Sequence, residues 1–263
     1  MHFDAAIFDM DGVITDTAQV HAAAWKATFD SYLQARSAKT GIAFQPFTQA
    51  DYLAYVDGRP RYEGVATFLR SHLIDLPFGE PGDTPEQDTI CGLGNSKDAS
   101  FNRILRAQGV KVFGSTVALI SALQRTGVKV AVATSSKNGA LVLNKAGIAE
   151  MFETRVDGVV SAELGLMGKP APDIFVEACE RLGACRHRAV IVEDAVTGVQ
   201  AGARGRFGLT IGVAREGNGE ALRQHGADIV VSDLSQISVD EIDHWFETVV
   251  RTRPGAPGER HTK

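Results

Sequence analysis

Cysteine is scarce in this 263-residue chain, which contains only Cys91, Cys179 and Cys185. None of the three belongs to a C-x-x-C pair, and this excludes a zinc knuckle or a thioredoxin-like dithiol. The count is odd as well as low, so a disulfide framework is not indicated. We therefore expect reduced thiols and a cytoplasmic protein.

The chain also lacks segments of the kind that direct proteins into membranes. No apolar run approaches the ~20 residues that a membrane-spanning helix needs. Residues 1–9 have neither a cationic start nor a long apolar stretch, so no signal peptide is expected. A membrane partner is therefore not expected.

Positive charge is not in excess, because 27 Lys and Arg stand against 32 Asp and Glu and give a net charge of −5. An acidic chain is a poor candidate for binding the phosphate backbone of nucleic acids by bulk charge. Arg181, Arg186, His187 and Arg188 form one small basic cluster, which we interpret as a solvated helix end and loop. No nucleic-acid partner is expected, although a local basic pocket for a small anion remains open.

What the chain does contain is typical of a folded domain, with 44% hydrophobic and 22% charged residues. Five short apolar runs suit strands buried on both faces of a parallel sheet. They lie at residues 5–8, 128–133, 189–192, 209–213 and 228–231. Helical patterns alternate with the later runs, so we expect an α/β fold with a Rossmann-like parallel sheet.

Residues 17–108 differ from the rest because strand-like runs are scarce there. Helical patterns cover 22–33, 49–56, 62–73 and 98–105, with looser stretches at 37–46 and 75–87. This pattern predicts an α-helical domain at 17–108, inserted into an α/β core formed by 1–16 and 109–250. Residues 251–263, with two prolines and two glycines, are expected to form a disordered tail.

The sharpest local signal is the pair Asp9 and Asp11, followed by Gly12, directly after the first strand. An open α/β sheet binds its ligands at the carboxyl ends of its strands. Two carboxylates crowded there cost free energy unless a cation or a shared proton relieves them. Taken alone, the alternative of an Asp-rich turn without chemistry remains strong.

Three further polar groups occupy comparable positions. Thr134, Ser135, Ser136, Lys137 and Asn138 lie between a strand and a helix, where hydroxyl and backbone N–H groups suit a phosphate, although a simple helix cap would explain them too. Lys169 lies beside two prolines that would aim it at a fixed point, although a solvated lysine is the usual alternative. Glu193 and Asp194 follow a strand and offer oxygen ligands for magnesium, or a second helix cap.

These groups point to a common site when they are taken together, because parallel strands share one carboxyl edge and should bring the groups close to one another. A phosphate ester needs a nucleophile, neutralisation of its oxygens and a proton donor for the leaving group. Carboxylates, hydroxyls and a lysine supply all three. Competing phosphate motifs are absent: Gly168 and Lys169 are followed by Pro170 rather than by the Ser or Thr of a P-loop.

The order Asp9-x-Asp11, Thr134, Lys169 and Glu193-Asp194 resembles the haloacid dehalogenase superfamily of phosphoryl-transfer enzymes. The match extends to about residue 231 and is specific, because four motifs occur in the right order. Within the superfamily the chain is most similar to the β-phosphoglucomutase subgroup. Residues 8–18, 133–139 and 169–175 carry this closer resemblance.

The resemblance implies a role for each motif residue. Asp9 would be the nucleophile that forms an aspartyl phosphate, and Asp11 the general acid and base. Mg²⁺ would be held by the Asp9 side chain, the Asp11 backbone carbonyl and Asp194, with Glu193 nearby. Thr134 and Lys169 would neutralise the transferring phosphate.

The resemblance further implies that the helical insertion is a cap that closes over a sugar phosphate. Arg61, in the cap loop with Gly58, would grip the distal phosphate. Lys97 falls where the family has a cap lysine and would contact the substrate, with a solvated side chain as the alternative. His21 would join the substrate site and couple cap closure to Asp11, or would simply lie on a helix face near Trp25. Ser135, Ser136, Lys137 and Asn138 would contact the substrate from the core. Residues 37–46 and 75–94 extend the cap beyond that of the short-cap mutases and put the exact sugar in doubt.

The function expected is a mutase that interconverts β-glucose 1-phosphate and glucose 6-phosphate through a bisphosphate. A sugar-phosphate phosphatase on the same scaffold is the alternative, since the motifs at the sheet edge are shared. A module that binds phosphorylated ligands without catalysis is disfavoured, because Asp9, Asp11, Lys169 and Asp194 are all present. A monomer is expected, and no protein partner is indicated.

Overall fold

The computed structural model describes residues 1–215 and 217–248. The chain forms two compact units. One consists of Met1–Thr15 with the described residues from Val112 onward, and the other of Asp16–Lys111. From the sequence, we expect the chain to cross between the units after residues 16 and 108. The predicted tail at 251–263 lies outside the described residues.

The first unit, the core, is built on a parallel sheet with the strand order β3-β2-β1-β4-β5-β6 in the described part of the chain. The strands are β1 (Ala5–Phe8), β2 (Lys129–Ala133), β3 (Thr154–Val156), β4 (Ala189–Glu193), β5 (Leu209–Val213) and β6 (Ile229–Val231). All residues of β1, β4 and β5 are buried. Strands that are buried along their whole length are typical of a parallel sheet covered on both faces, so the expected α/β class and parallel sheet are confirmed.

Helices follow the strands in the core and make up most of the second unit. They are α1 (Ala18–Thr40), α2 (Gln49–Asp51), α3 (Arg61–Ser71), α4 (Ile90–Gln108), α5 (Gly114–Arg125), α6 (Gly139–Ala146), α7 (Gly158–Leu164), α8 (Asp173–Arg181), α9 (Val196–Arg204), α10 (Gly219–Gln224) and α11 (Val239–Thr248). Among the described residues, no helix combines the length and the apolar character that crossing a membrane requires.

All five predicted strands are present, each within one residue of its predicted start and end. Strand β3 was not predicted, because it is only three residues long and only Val156 in it is buried. Helix α7 was not predicted either; Asp157 caps it by accepting hydrogen bonds from the backbone N–H groups of Val159 and Val160.

Two expectations for the inserted unit were wrong in detail. The stretch 37–46 is not loose throughout, because α1 continues to Thr40 and ends at Gly41, where φ is +72° and the N–H bonds the Ser37 carbonyl. The stretch 49–56 is not one α-helix: α2 is a single turn, and Tyr52–Val56 form a π-helical turn. The predicted loop at 75–87 contains no helix or strand.

Aromatic rings form the hydrophobic core of the second unit. Phe29, fully buried on α1, lies with its ring centroid 4.0 Å from that of Phe68 and 5.2 Å from that of Trp25. Phe47 completes the group at 5.1 Å from Phe29. Burial of large rings in such contacts is a main source of stability in a helical domain.

We therefore predict that Phe29→Ala destabilises the protein by about 3–5 kcal/mol, the usual cost of removing a buried aromatic ring. Chemical denaturation followed by tryptophan fluorescence measures this, since Trp25 adjoins the cavity. Phe78→Ala is the matched control, because Phe78 is 56% exposed and its loss should change stability little. Equal effects of the two substitutions would contradict the assignment of this core.

Candidate active site

The polar groups singled out in the core collect at the carboxyl edge of its sheet. Asp9 follows β1, Thr134 follows β2 and Asp194 follows β4. Because β1 lies between β2 and β4, these three strand ends are neighbours. The sheet order therefore gives Asp9 the central position.

Lys169 lies beneath this edge and joins two of the carboxylates. Its ammonium donates to Asp9 Oδ1 at 2.5 Å and to Glu193 Oε1, and all three side chains are at least 90% buried. The ammonium also lies 5.0 Å from the ring centroid of Phe175 on α8, in a cation–π contact. Lys169 is therefore not a solvated lysine, and it points directly at the residue predicted to be the nucleophile.

The carboxylate of Glu193 is fixed on both sides. Its Oε1 accepts from Lys169, and its Oε2 accepts from the backbone N–H groups of Asp194 and Ala195 at 2.9 Å each. A Cβ at Gly198 would lie 1.9 Å from this carboxylate, so only glycine there leaves it room. Glu193 thus orients Lys169 and caps the turn that carries Asp194.

The electrostatics of the cluster are unbalanced. Burial raises the pKa of the Asp9 carboxyl well above its usual range, and Glu193 and Asp11 act in the same direction, while Lys169 opposes them. Burial alone would lower the pKa of Lys169, but the charges of Asp9 and Glu193 outweigh it and raise that pKa. One cation therefore faces more negative charge than it can neutralise.

Side-chain oxygens of Asp9, Glu193 and Asp194 lie within 4.8 Å of one another. Hard oxygen donors in such a group suit a divalent metal ion, which would supply the missing positive charge. A Cβ at Gly12, where φ is +85°, would lie 1.8 Å from Asp194 Oδ2. Asp194 can reach the cluster because position 12 has no side chain, and the residues present fit a metal.

Thr134 and Asp11 meet across the edge. Thr134 Oγ1 lies 3.4 Å from Asp11 Oδ2 and accepts from the backbone N–H of Ser136 at 3.1 Å. Ser136 Oγ in turn accepts from the N–H of Asn138 at 3.2 Å. These bonds fold 134–138 into a compact turn ahead of α6.

Gly158, at the start of α7, supports this turn and was missed from the sequence. Its N–H donates to the Ser136 carbonyl at 3.0 Å, and a Cβ there would lie 2.6 Å from the Ser135 carbonyl oxygen. Lys137, in the same turn, is exposed, whereas Ser135 is partly buried. The only signal in the sequence was the Asp157-Gly158 pair, which is equally typical of an ordinary helix start.

Two of the predicted substrate residues in the inserted unit contact each other. The Lys97 ammonium on α4 bonds His21 Nδ1 on α1, and it lies 5.1 Å from the Trp25 ring centroid and 4.9 Å from that of Phe101. His21 stacks on Phe101 with their centroids 4.2 Å apart. Lys97 is only 4% exposed, so it is part of an organised cluster rather than a solvated side chain.

Arg61 begins α3 and is also engaged within the unit. Its Nη2 donates to Asp98 Oδ1 at 2.6 Å, and its Nη1 lies 3.4 Å from Asn95 Oδ1. Its side chain is 14% exposed. Gly58, three residues earlier, has φ of +68°, a conformation that favours glycine and lets the chain turn into α3.

Comparison with known proteins gives a consistent assignment. Residues 3–206 match the family model for haloacid dehalogenase-like hydrolases. The chain belongs to the haloacid dehalogenase superfamily, in its β-phosphoglucomutase-like subgroup. A β-phosphoglucomutase from Mycobacterium bovis is 44% identical over 237 residues, which are 89% of this chain and 90% of the relative.

Two further matches bear on fold and chemistry. The crystal structure of β-phosphoglucomutase from Clostridium difficile matches with a TM-score of 0.74 and 24% identity, over 93% of this chain and 97% of that one, which shows the fold. A trehalose-phosphate phosphatase from Mycobacterium leprae is 36% identical over 129 residues, which are 48% of this chain and 28% of the relative. The chain is therefore an enzyme of the phosphomutase or phosphatase type within this superfamily.

We predict that Gly12→Ala nearly abolishes turnover, because its Cβ would overlap Asp194 Oδ2 and displace that carboxylate from the cluster. Steady-state assays with a phosphate ester and graded Mg²⁺ should give a sharply lower kcat and a higher metal requirement. Gly127→Ala is the matched control: its φ of +82° imposes the same backbone strain, but its Cβ meets nothing within 4 Å. If both variants lose activity equally, backbone strain rather than the overlap with Asp194 is responsible.

Proposed function

We propose that this enzyme is a β-phosphoglucomutase that interconverts β-D-glucose 1-phosphate and glucose 6-phosphate through glucose 1,6-bisphosphate. The observation that carries the proposal is the buried Asp9–Lys169–Glu193 ion-paired group beside Asp194. The 44% identical β-phosphoglucomutase, matched over nearly its whole length, supports this substrate over other sugar phosphates.

Asp9 and Asp194 are the residues that would hold Mg²⁺, together with the Asp11 backbone carbonyl. Glu193 contributes its charge nearby, but its two oxygens are already engaged by Lys169 and by backbone N–H groups. When bound, the ion supplies positive charge next to the transferring phosphate. The excess of carboxylates over cations in the cluster supports a metal requirement.

In the first half-reaction, an Asp9 carboxylate oxygen attacks phosphorus of the bisphosphate. The bond between phosphorus and the sugar oxygen breaks, and Asp11 donates a proton to that leaving oxygen. The Lys169 ammonium and the Thr134 hydroxyl stabilise negative charge on the phosphoryl oxygens. The products are an Asp9 aspartyl phosphate and a sugar monophosphate.

In the second half-reaction, the other hydroxyl of a sugar monophosphate attacks the aspartyl phosphate. Asp11 accepts the hydroxyl proton, the acyl phosphate bond breaks, and the Asp9 carboxylate is regenerated. The sugar must be held by its distal phosphate in each half, for which we propose Arg61. A guanidinium has five donors, so its bonds to Asp98 and Asn95 leave others for a phosphate.

A sugar-phosphate phosphatase is the second candidate, in which water rather than a sugar hydroxyl attacks the aspartyl phosphate. The partial match to a trehalose-phosphate phosphatase favours it. The long segment 75–89, which has no regular structure, also favours it, because the segment could shape a sugar pocket different from that of the short-cap mutases.

One assay separates the two candidates. The enzyme is supplied with β-glucose 1-phosphate, Mg²⁺ and catalytic glucose 1,6-bisphosphate, and glucose 6-phosphate and free phosphate are both measured. α-Glucose 1-phosphate and trehalose 6-phosphate are tested in parallel. A mutase forms glucose 6-phosphate from the β-anomer with little free phosphate, whereas dominant phosphate release would replace the mutase proposal by the phosphatase.

We predict that Asp9→Asn reduces phosphoryl transfer to the background rate, because an amide cannot form the acyl phosphate. Loss of the aspartyl phosphate can be followed by mass spectrometry as well as by turnover. Asp4→Asn is the matched control: Asp4 precedes β1 and pairs with Arg188, at the opposite end of the strand that Asp9 follows. Full turnover by Asp9→Asn would refute the role of Asp9.

We further predict that Arg61→Ala lowers mutase kcat/KM by roughly 10- to 100-fold, the usual effect of losing a hydrogen bond to a charged group. Hydrolysis of p-nitrophenyl phosphate, which has no distal phosphate, should change much less. Arg70→Ala is the control, because Arg70 is exposed on the same helix α3. Equal losses on both substrates would contradict a distal-phosphate role.

A further inference from the structure

The segment after β5 supplies no reacting group, yet it contacts the loop that carries Asp9 and Asp11. Arg215, two residues beyond β5, donates from Nε to the carbonyl oxygen of Gly12 at 3.1 Å. Its side chain is only 16% exposed. A largely buried arginine on the backbone next to Asp11 is not explained by the motifs of the superfamily alone.

Gly12 is a point from which the whole loop can be fixed. Within the loop, the Met10 carbonyl accepts from the N–H groups of Ile14 and Thr15, and the Gly12 N–H donates to the Thr15 carbonyl at 2.7 Å. These bonds make residues 10–15 one closed turn. A side chain that holds the Gly12 carbonyl therefore fixes the position of this turn. The turn contains Asp11 and directly follows Asp9, so both carboxylates are positioned with it.

Arg215 is itself held from several sides, as a positioning group must be. Its Nη1 donates to Asp233 Oδ2 at 2.8 Å, beyond the end of β6, and its guanidinium lies 3.8 Å from the ring centroid of Phe113. The bonds from Arg215 and Ser235 keep the pKa of the Asp233 carboxyl well below its usual range, so it stays charged. Ser115 Oγ donates to the same carboxylate at 2.9 Å.

The same segment also reaches the metal-binding side of the site. Asn218 Nδ2 donates to the backbone carbonyl of Asp194 at 3.0 Å. Gly12 in turn lies directly against the Asp194 carboxylate. The turn after β1 and the turn after β4 are thus both tied to residues that follow β5.

We propose that Arg215 is a positioning residue for phosphoryl transfer, which acts through the Gly12 carbonyl to fix Asp9 and Asp11 relative to Asp194. This inference rests on the proposed role of Asp9 as nucleophile, but not on the identity of the acceptor. Asp233 and Phe113 hold the guanidinium in place, and Arg215 thereby links the loops after β1, β5 and β6.

The test is Arg215→Ala, assayed both for mutase turnover and for hydrolysis of p-nitrophenyl phosphate. We expect kcat to fall by roughly 10- to 100-fold in both, as is usual when a residue that orients a metal-site ligand is lost. KM should stay near the wild-type value, because the proposed role of Arg215 is exerted on the Gly12 carbonyl and not on the substrate. Added guanidinium ion should restore part of kcat, an effect that a general loss of packing would not give.

Arg223→Ala is the matched control, because Arg223 lies on α10 with its side chain 59% exposed. It should keep the wild-type kcat with or without guanidinium. If Arg215→Ala folds and keeps the wild-type kcat, or if its loss of kcat does not respond to guanidinium, the proposal is overturned.

If Arg215→Ala does not fold, Asp233→Asn is tested instead, since it keeps the arginine and weakens its anchor together with the bonds that Asp233 accepts from Ser115 and Ser235. A lower kcat at unchanged melting temperature supports the proposal, and a wild-type kcat refutes it. Failure of the proposed function is distinguishable: a wild-type enzyme that hydrolyses p-nitrophenyl phosphate but does not isomerise β-glucose 1-phosphate refutes the mutase, while the Arg215 comparison still decides the positioning role.

Discussion

The ammonium of Lys169, held between the buried carboxylates of Asp9 and Glu193, is the interaction on which the rest of the site depends. Ions removed from water are costly unless each is paired. Lys169 satisfies two carboxylates at once, so removing it would leave both without their cation. The same pairing fixes the orientation of Asp9 and leaves the cluster with net negative charge, which is why the site suits a divalent metal.

That pairing is possible only because the backbone approaches the carboxylates closely. Gly198 leaves room for Glu193, and Gly12 leaves room for Asp194, since any Cβ at either position would lie within 2 Å of a carboxylate oxygen. Gly158 does the same for the turn at 134–138. The charged residues form the cluster, and the glycines leave the space that it occupies.

The fold and the gathering of polar side chains at one edge of the sheet were predictable because their signals are local. The predicted strands at 5–8, 128–133 and 189–192 are short, mainly apolar runs, and Asp9, Thr134 and Glu193 each follow one of them directly. One physical rule, that parallel strands share a carboxyl edge, then brings them together. The same reasoning failed at β3, where Thr154 and Arg155 hide the strand, and at the π-helical turn of Tyr52–Val56, which no periodicity separates from an α-helix.

What could not be predicted are groups whose role is set by a distant partner. An arginine in a Gly-rich loop, such as Arg215, is indistinguishable in sequence from a solvated one, and only its bonds to Gly12 and Asp233 give it a role. Arg61 was predicted only through the family resemblance, whereas its pairing with Asp98, 37 positions away, is visible only in the fold. The strength of an interaction between charges depends on their distance and burial. The residue type shows which charges and hydrogen-bond donors are available, but only the fold shows which partners they meet.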